Sequence, residues 1–142
     1  MSTSTPHDPI AALNQVLSEV IDMELDLKQA HQKVPQSHAL YVVIDRLFDD
    51  LRVWAGSILD EDREWGVSPL ASMPSVAGRV PPNLWPGTAS DEDVSQVLGQ
   101  HLDRLIEHVT AALAEQEDEA ARATLGEMER GLLAHRRSLS QL

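Results

Sequence analysis

Apolar residues fall at helical spacing in four stretches. Ile10, Leu13, Val16, Leu17, Val20, Ile21 and Leu27 mark the first. Asp8 is a good N-cap, Pro9 suits the first helical position and Pro35 ends the run. This predicts a helix over 9–33. Leu40, Ile44, Leu47, Phe48, Leu51, Trp54, Ala55 and Ile58 form a second stripe. With Ser37 as cap and Gly66 and Pro69 as stops, it predicts a helix over 38–65. Ser90, with Asp93 at the reciprocal capping position, opens a third helix striped by Val94, Val97, Leu98, Leu102, Leu105, Ile106, Val109 and Leu113. Leu125, Met128, Leu132, Leu133 and Leu139 carry a fourth, over 119–140, after a restart at Asp118.

The connections are short, long, short. Residues 66–90 hold Pro69, Pro74, Pro81, Pro82 and Pro86, through which no helix can run. The expected fold is all-α: a ferritin-like four-helix bundle with a long proline-rich crossover between the second and third helices. Residues 1–8 are expected to be a disordered tail, and 9–142 a single domain. An up-down bundle with a decorated loop is the alternative.

Composition narrows the chemistry. The 142 residues suit one domain, and 42% hydrophobic with only 4% aromatic residues means that aliphatic side chains fill the core. The absence of cysteine excludes disulfides, thiolate metal sites and a cysteine nucleophile. No apolar run reaches the roughly 18 residues of a membrane span. The start, MSTSTPHDPI, has neither the basic nor the apolar region of a secretory signal, so a cytoplasmic location is expected. A net charge of −12 favours cations and disfavours nucleic-acid phosphates, though it also serves plain solubility.

The second helix concentrates the acids. Asp45 and Asp49 share a face, as do Asp60 and Glu64, and all four fall within an arc of about 100°. Asp49 and Asp60 are nonetheless roughly 16 Å apart along the axis. One chain cannot gather both pairs around one small centre. The pairs 45/64 and 49/60 have a common midpoint between Trp54 and Ala55. A second copy packed antiparallel across a twofold axis there sets Asp60 and Glu64 of one chain against Asp45 and Asp49 of the other, twice over. Four carboxylates repel when empty, and two divalent cations neutralise them. Oxygen donors with one imidazole suit iron, manganese or zinc. His31, on the inner side of the first helix, offers the imidazole. A solvated acidic face and a core histidine are the alternatives. Trp54 reads best as interface packing. His101 and His108 share a face best explained as solvated or interfacial. His135, Arg136 and Arg137 suit a helix C-terminus.

These segments resemble the Dps-like mini-ferritins, the starvation-protection branch of the ferritin superfamily, over nearly the whole chain. LNQVL at 13–17 and LKQAH at 27–31 are similar to the family's first helix. IDRLFDDL at 44–51 is similar to its LHxLFDxL motif, DEDRE at 60–64 to its DxxAE motif, and EQEDEAARATLGEMERGLLAHRRSL at 115–139 to its last loop and helix. The resemblance implies a hollow twelve-subunit cage built from twofold dimers. It also implies iron(II) as the substrate, oxidised by hydrogen peroxide or dioxygen at an inter-subunit ferroxidase site and stored inside. The implied ligands are His31 and Asp49 from one subunit and Asp60 and Glu64 from the other, with zinc or manganese as possible occupants. Asp50 matches an acid used in mineral nucleation.

The chain departs from the family in places. Asp45 replaces the second histidine, and His31 is followed by Gln32 instead of tryptophan. VPQSHALYVV at 34–43 is two residues longer than usual, the crossover is proline-rich, and Arg46 stands where an acid is expected. The alternative function is a non-enzymatic cage with a degenerate metal site, acting in DNA protection or as a scaffold. DNA binding is disfavoured, because residues 1–10 carry no Lys or Arg.

Overall fold

The computed structural model describes residues 9–64, Gly66 and residues 90–142. They form four helices: α1 (Pro9–Lys33), α2 (Ala39–Glu64), α3 (Asp91–Glu115) and α4 (Glu119–Ser140). No strand occurs among the described residues. The expected tail over 1–8 lies outside them, as does the expected crossover except for Gly66 and Ser90.

Local chemistry explains the boundaries. Ser90 accepts from the Asp93 backbone N–H at 3.1 Å, and Asp93 accepts from the Ser90 N–H at 3.3 Å. This capping box satisfies two donors at the α3 start. Asp118 does similar work for α4 through the Ala121 N–H at 2.9 Å. Arg122 donates to the carbonyls of Leu113 and Gln116, closing the end of α3. The second helix begins one residue later than expected. A turn closed by His38 N–H to the Pro35 carbonyl precedes it.

The core follows the apolar stripes. Leu13, Val16, Leu17, Val20 and Leu27 of α1 meet Leu40, Ile44, Leu47, Leu51 and Ile58 of α2. Val94, Leu98, Leu102, Leu105 and Val109 of α3 and Leu125, Met128 and Leu132 of α4 complete it. Each fully buried leucine contributes about 1.5–3 kcal/mol. Leu133 departs from the expected stripe and is 40% exposed. It lies about 100° around α4 from buried Leu132, which turns it outward.

Polar cross-links reveal the helix directions. Along α1 and α3, Asp26 pairs with His101 and Glu19 with His108. Along α2 and α4, Asp50 pairs with His135, and Trp54 lies over Gly131. Along α3 and α4, Asp103 meets Arg136 and Thr110 meets Glu129. His31 of α1 stacks on Tyr41 of α2 and approaches Asp45. Wherever two contacts link one helix pair, the numbers rise on one helix as they fall on the other, so these neighbours run antiparallel. His38 and Asp91, 2.7 Å apart, put the starts of α2 and α3 at one end. The end of α2 and the start of α3 therefore lie at opposite ends of the bundle.

Candidate metal-binding face

The residues singled out by the sequence lie on α2 and on the adjoining edge of α1. His31 sits in the last turn of α1, with a side chain 24% exposed. Its ring stacks on Tyr41, centroids 4.7 Å apart, and tilts against Phe48 at 6.1 Å. These contacts fix the ring at the α1/α2 seam, so it is only partly inward. Its Nε2 is shielded from solvent and accepts or donates no hydrogen bond. That atom lies 3.4 Å from Asp45 Oδ1.

Asp45, Asp49, Asp60 and Glu64 are all exposed. So are Arg46, Arg52 and Arg63 on the same helix. The structure therefore brings His31 to Asp45 and leaves Asp49 on the same outward face. Asp60 and Glu64 stand at the far end of α2. Among the described residues, no group of three or more His, Asp or Glu side chains within the chain could hold a metal ion. Arg63 approaches Asp60 at 3.7 Å, a highly exposed ion pair of small energetic weight.

The middle of this face is open. A side chain at Gly56 would meet nothing within 4 Å. Val42, Val53 and Leu59 are exposed large hydrophobics on α2, Val53 to 62%. Trp54 points the other way. It is buried, and its ring fills the space that a side chain at position 131 would need.

Asp50 is turned toward α4, where its Oδ2 pairs with His135 Nε2 at 2.6 Å. This couples it to a ring that meets Trp54 edge-on, at 6.4 Å. The three basic residues at 135–137 have separate roles. His135 holds Asp50, Arg136 holds Asp103 at 2.8 Å, and Arg137 sits in the last turn of α4.

Acid crowding is strongest at the C-terminal end of α2. Burial raises the Glu61 carboxyl above its ordinary range, with Glu64, Asp118, Asp60 and Asp62 adding repulsion. Burial also raises Asp62. Glu61 Oε2 has no hydrogen-bond partner. These acids stand near a helix C-terminus, where the dipole also disfavours negative charge.

Sequence reasoning missed the ladder between α1 and α3. His101 Nδ1 lies 2.6 Å from Asp26 Oδ2, and His108 Nδ1 lies 2.5 Å from Glu19 Oε1. Asp26 is only 2% exposed. The matching seven-residue spacings, 19/26 and 101/108, were the available signal. A groove of roughly 700 Å³ at the shared end of α2 and α3, lined by His38, Leu40, Asp91 and Leu139, contains none of the residues singled out.

The chain matches no model of a known protein family, and no curated protein matches it. No helix among the described residues is long and apolar enough to cross a membrane.

Proposed function

We propose that this chain is a Dps-like, ferritin-like subunit that oxidises iron(II) at a site shared between two copies and stores the ferric product in a cage. One observation carries this reading. The shielded His31 Nε2, without a hydrogen bond, faces Asp45 Oδ1 at 3.4 Å on the edge of an outward acidic face. Two donors that bind one ion at about 2.0–2.2 Å, at a near-tetrahedral angle, are separated by about 3.4 Å. Asp49 lies one turn further along. Among the described residues no complete ligand cluster forms within one chain, and Asp60 and Glu64 of the partner subunit would complete it.

The helix directions support the same reading. Antiparallel neighbours, with α2 and α3 starting at one end, are the arrangement of a ferritin-like bundle. Asp45, Asp49 and the partner's acids would hold iron(II) ions beside the oxidant, leaving positions open for it. One peroxide accepts two electrons, one from each of two iron(II) ions, and leaves as water after taking up two protons. Asp50 would act in nucleation only after release from His135. Zinc or manganese would occupy the same ligands. Twelve subunits, a cytoplasmic location and a protective role under stress belong to this proposal as well.

Anaerobic protein given iron(II) and then peroxide should form a soluble ferric core. Asp49→Ala with Asp60→Ala should abolish that core while leaving the helical content unchanged. Undiminished loading by the double variant would remove these residues from the reaction. The competing reading is a cage interface without iron chemistry, and the Arg63–Asp60 approach favours it.

A further inference from the structure

One arc of the outward face of α2 carries six charges that read alike from either end, while Arg52, exposed beside that arc over Phe48, has no counterpart. Asp45, Arg46 and Asp49 precede the arc's midpoint, and Asp60, Arg63 and Glu64 follow it. The signs run minus, plus, minus on each side. The arginines obey the same symmetry as the acids, with 46 and 63 equally far from the point between Trp54 and Ala55. At 100° per residue all six fall within the arc of about 100° already occupied by the acids. All six side chains are exposed. The only ion pair among them is Arg63 with Asp60 at 3.7 Å, both more than two-thirds exposed.

We propose that α2 docks antiparallel on α2 of a second copy through cross-chain arginine–carboxylate pairs, and that these pairs hold the interface without metal. This rests on the twofold contact in the reading above, but it assigns the contact a different cement. In an antiparallel pair centred between residues 54 and 55, Arg46 stands level with Arg63 of the partner subunit. Each guanidinium lies within one helical turn of two opposing acids. Arg46 reaches Asp60 and Glu64 of the partner subunit, and Arg63 reaches Asp45 and Asp49 of the partner subunit. Val53 and Gly56 lie at the centre, where an open backbone and an exposed apolar side chain permit close approach. A second copy is the occupant that fits, because the face is complementary to its own reverse.

The arginines also alter the charge at the shared site. Each cluster holds four carboxylates and two guanidinium groups, so a net charge of two remains instead of four. One divalent cation neutralises it. A second would leave the cluster net positive unless an arginine swung away.

Sedimentation equilibrium of the full chain with EDTA tests the docking. Self-association should persist without metal and weaken as salt rises past physiological strength. Arg46→Glu with Arg63→Glu should weaken it at least about tenfold. Residues 46 and 60 lie roughly 21 Å apart along one helix, so a swap between them can act only across two chains. Arg46→Asp with Asp60→Arg should therefore restore association that Arg46→Asp alone loses. Circular dichroism should show every variant folded, since all the positions are exposed.

A chain that is monomeric in EDTA at all salt concentrations overturns the proposal. So does association indifferent to the double reversal, or a swap that fails to rescue. Iron loading separates the two readings. Metal-independent, swap-rescued association without any ferric core would leave the docking intact and end the iron proposal. Ferric loading by a protein whose assembly ignores the arginines would do the opposite.

Discussion

The seam between α1 and α3 and the outward face of α2 are both rich in charged and titratable side chains, but they spend them differently. At the seam, Asp26 and Glu19 each meet a histidine from the neighbouring helix at 2.5–2.6 Å. Asp26 is almost wholly buried. A carboxylate there would be expensive without its partner. On the face of α2, Asp45, Asp49, Asp60 and Glu64 remain in solvent, with only loose contacts to His31 and Arg63. The first set is completed by the chain's own fold. The second is arranged with regular symmetry and stays exposed, and in the reading proposed above a second copy completes it. Residue type therefore says little about whether an acid is held by the fold, and the source of its partner says more.

The largest expected effect breaks the seam. His101→Ala should cost about 3 kcal/mol in chemical denaturation, because it takes the histidine away from a buried carboxylate. A loss below roughly 0.5 kcal/mol would make this ladder as dispensable as a surface pair. His108→Ala, at the more exposed rung, should cost only about 1 kcal/mol. It should also raise Glu19 further, since burial already lifts that carboxyl and His108 is the main influence lowering it. A carboxyl-resolved NMR titration reads this shift, and an unmoved Glu19 contradicts the pairing.

A smaller effect concerns pH. Glu61 and Asp62 bind their protons more tightly folded than unfolded. Their contribution to stability is present below the ordinary carboxylate range and is lost as pH rises through the raised values. Glu61→Gln with Asp62→Asn should flatten the fall in stability between weakly acidic and neutral pH. Melting curves across that interval check it, and an unchanged slope would refute it. The smallest effect should be on the α2 face. Asp49→Asn with Asp60→Asn should change monomer stability by no more than about 0.5 kcal/mol. A loss of several kcal/mol would show these acids to be structural after all.

Much of the helical layout was legible from periodicity and caps. Pro9, Pro35, Ser90 and Asp118 mark the ends of elements with chemistry that acts over three or four residues. The exposed arc of α2 was legible for the same reason, since one helix fixes its own faces. The seam ladder was not, because it depends on α1 lying beside α3, a choice made by chain topology. Asp50 shows the same limit. Its place on α2 was plain, but its bond to His135 spans 85 residues of sequence. His31 was partly legible. Its stripe placed it at the inner edge, and only the packing of Tyr41 and Phe48 fixed the half-sheltered position.

The arrangement of connections has a kinetic consequence. The chain turns between α1 and α2 within residues 34–38 and between α3 and α4 within 116–118, so each hairpin closes over a short span. Closing a short loop sacrifices little chain entropy, whereas joining α1 to α3 awaits a far larger excursion. Each hairpin is expected to gather first and dock second. Substitutions at the Thr110–Glu129 contact should then slow folding more than those at Asp26–His101, which should mainly hasten unfolding. Stopped-flow chevrons would reveal the reverse order if the halves instead condense together.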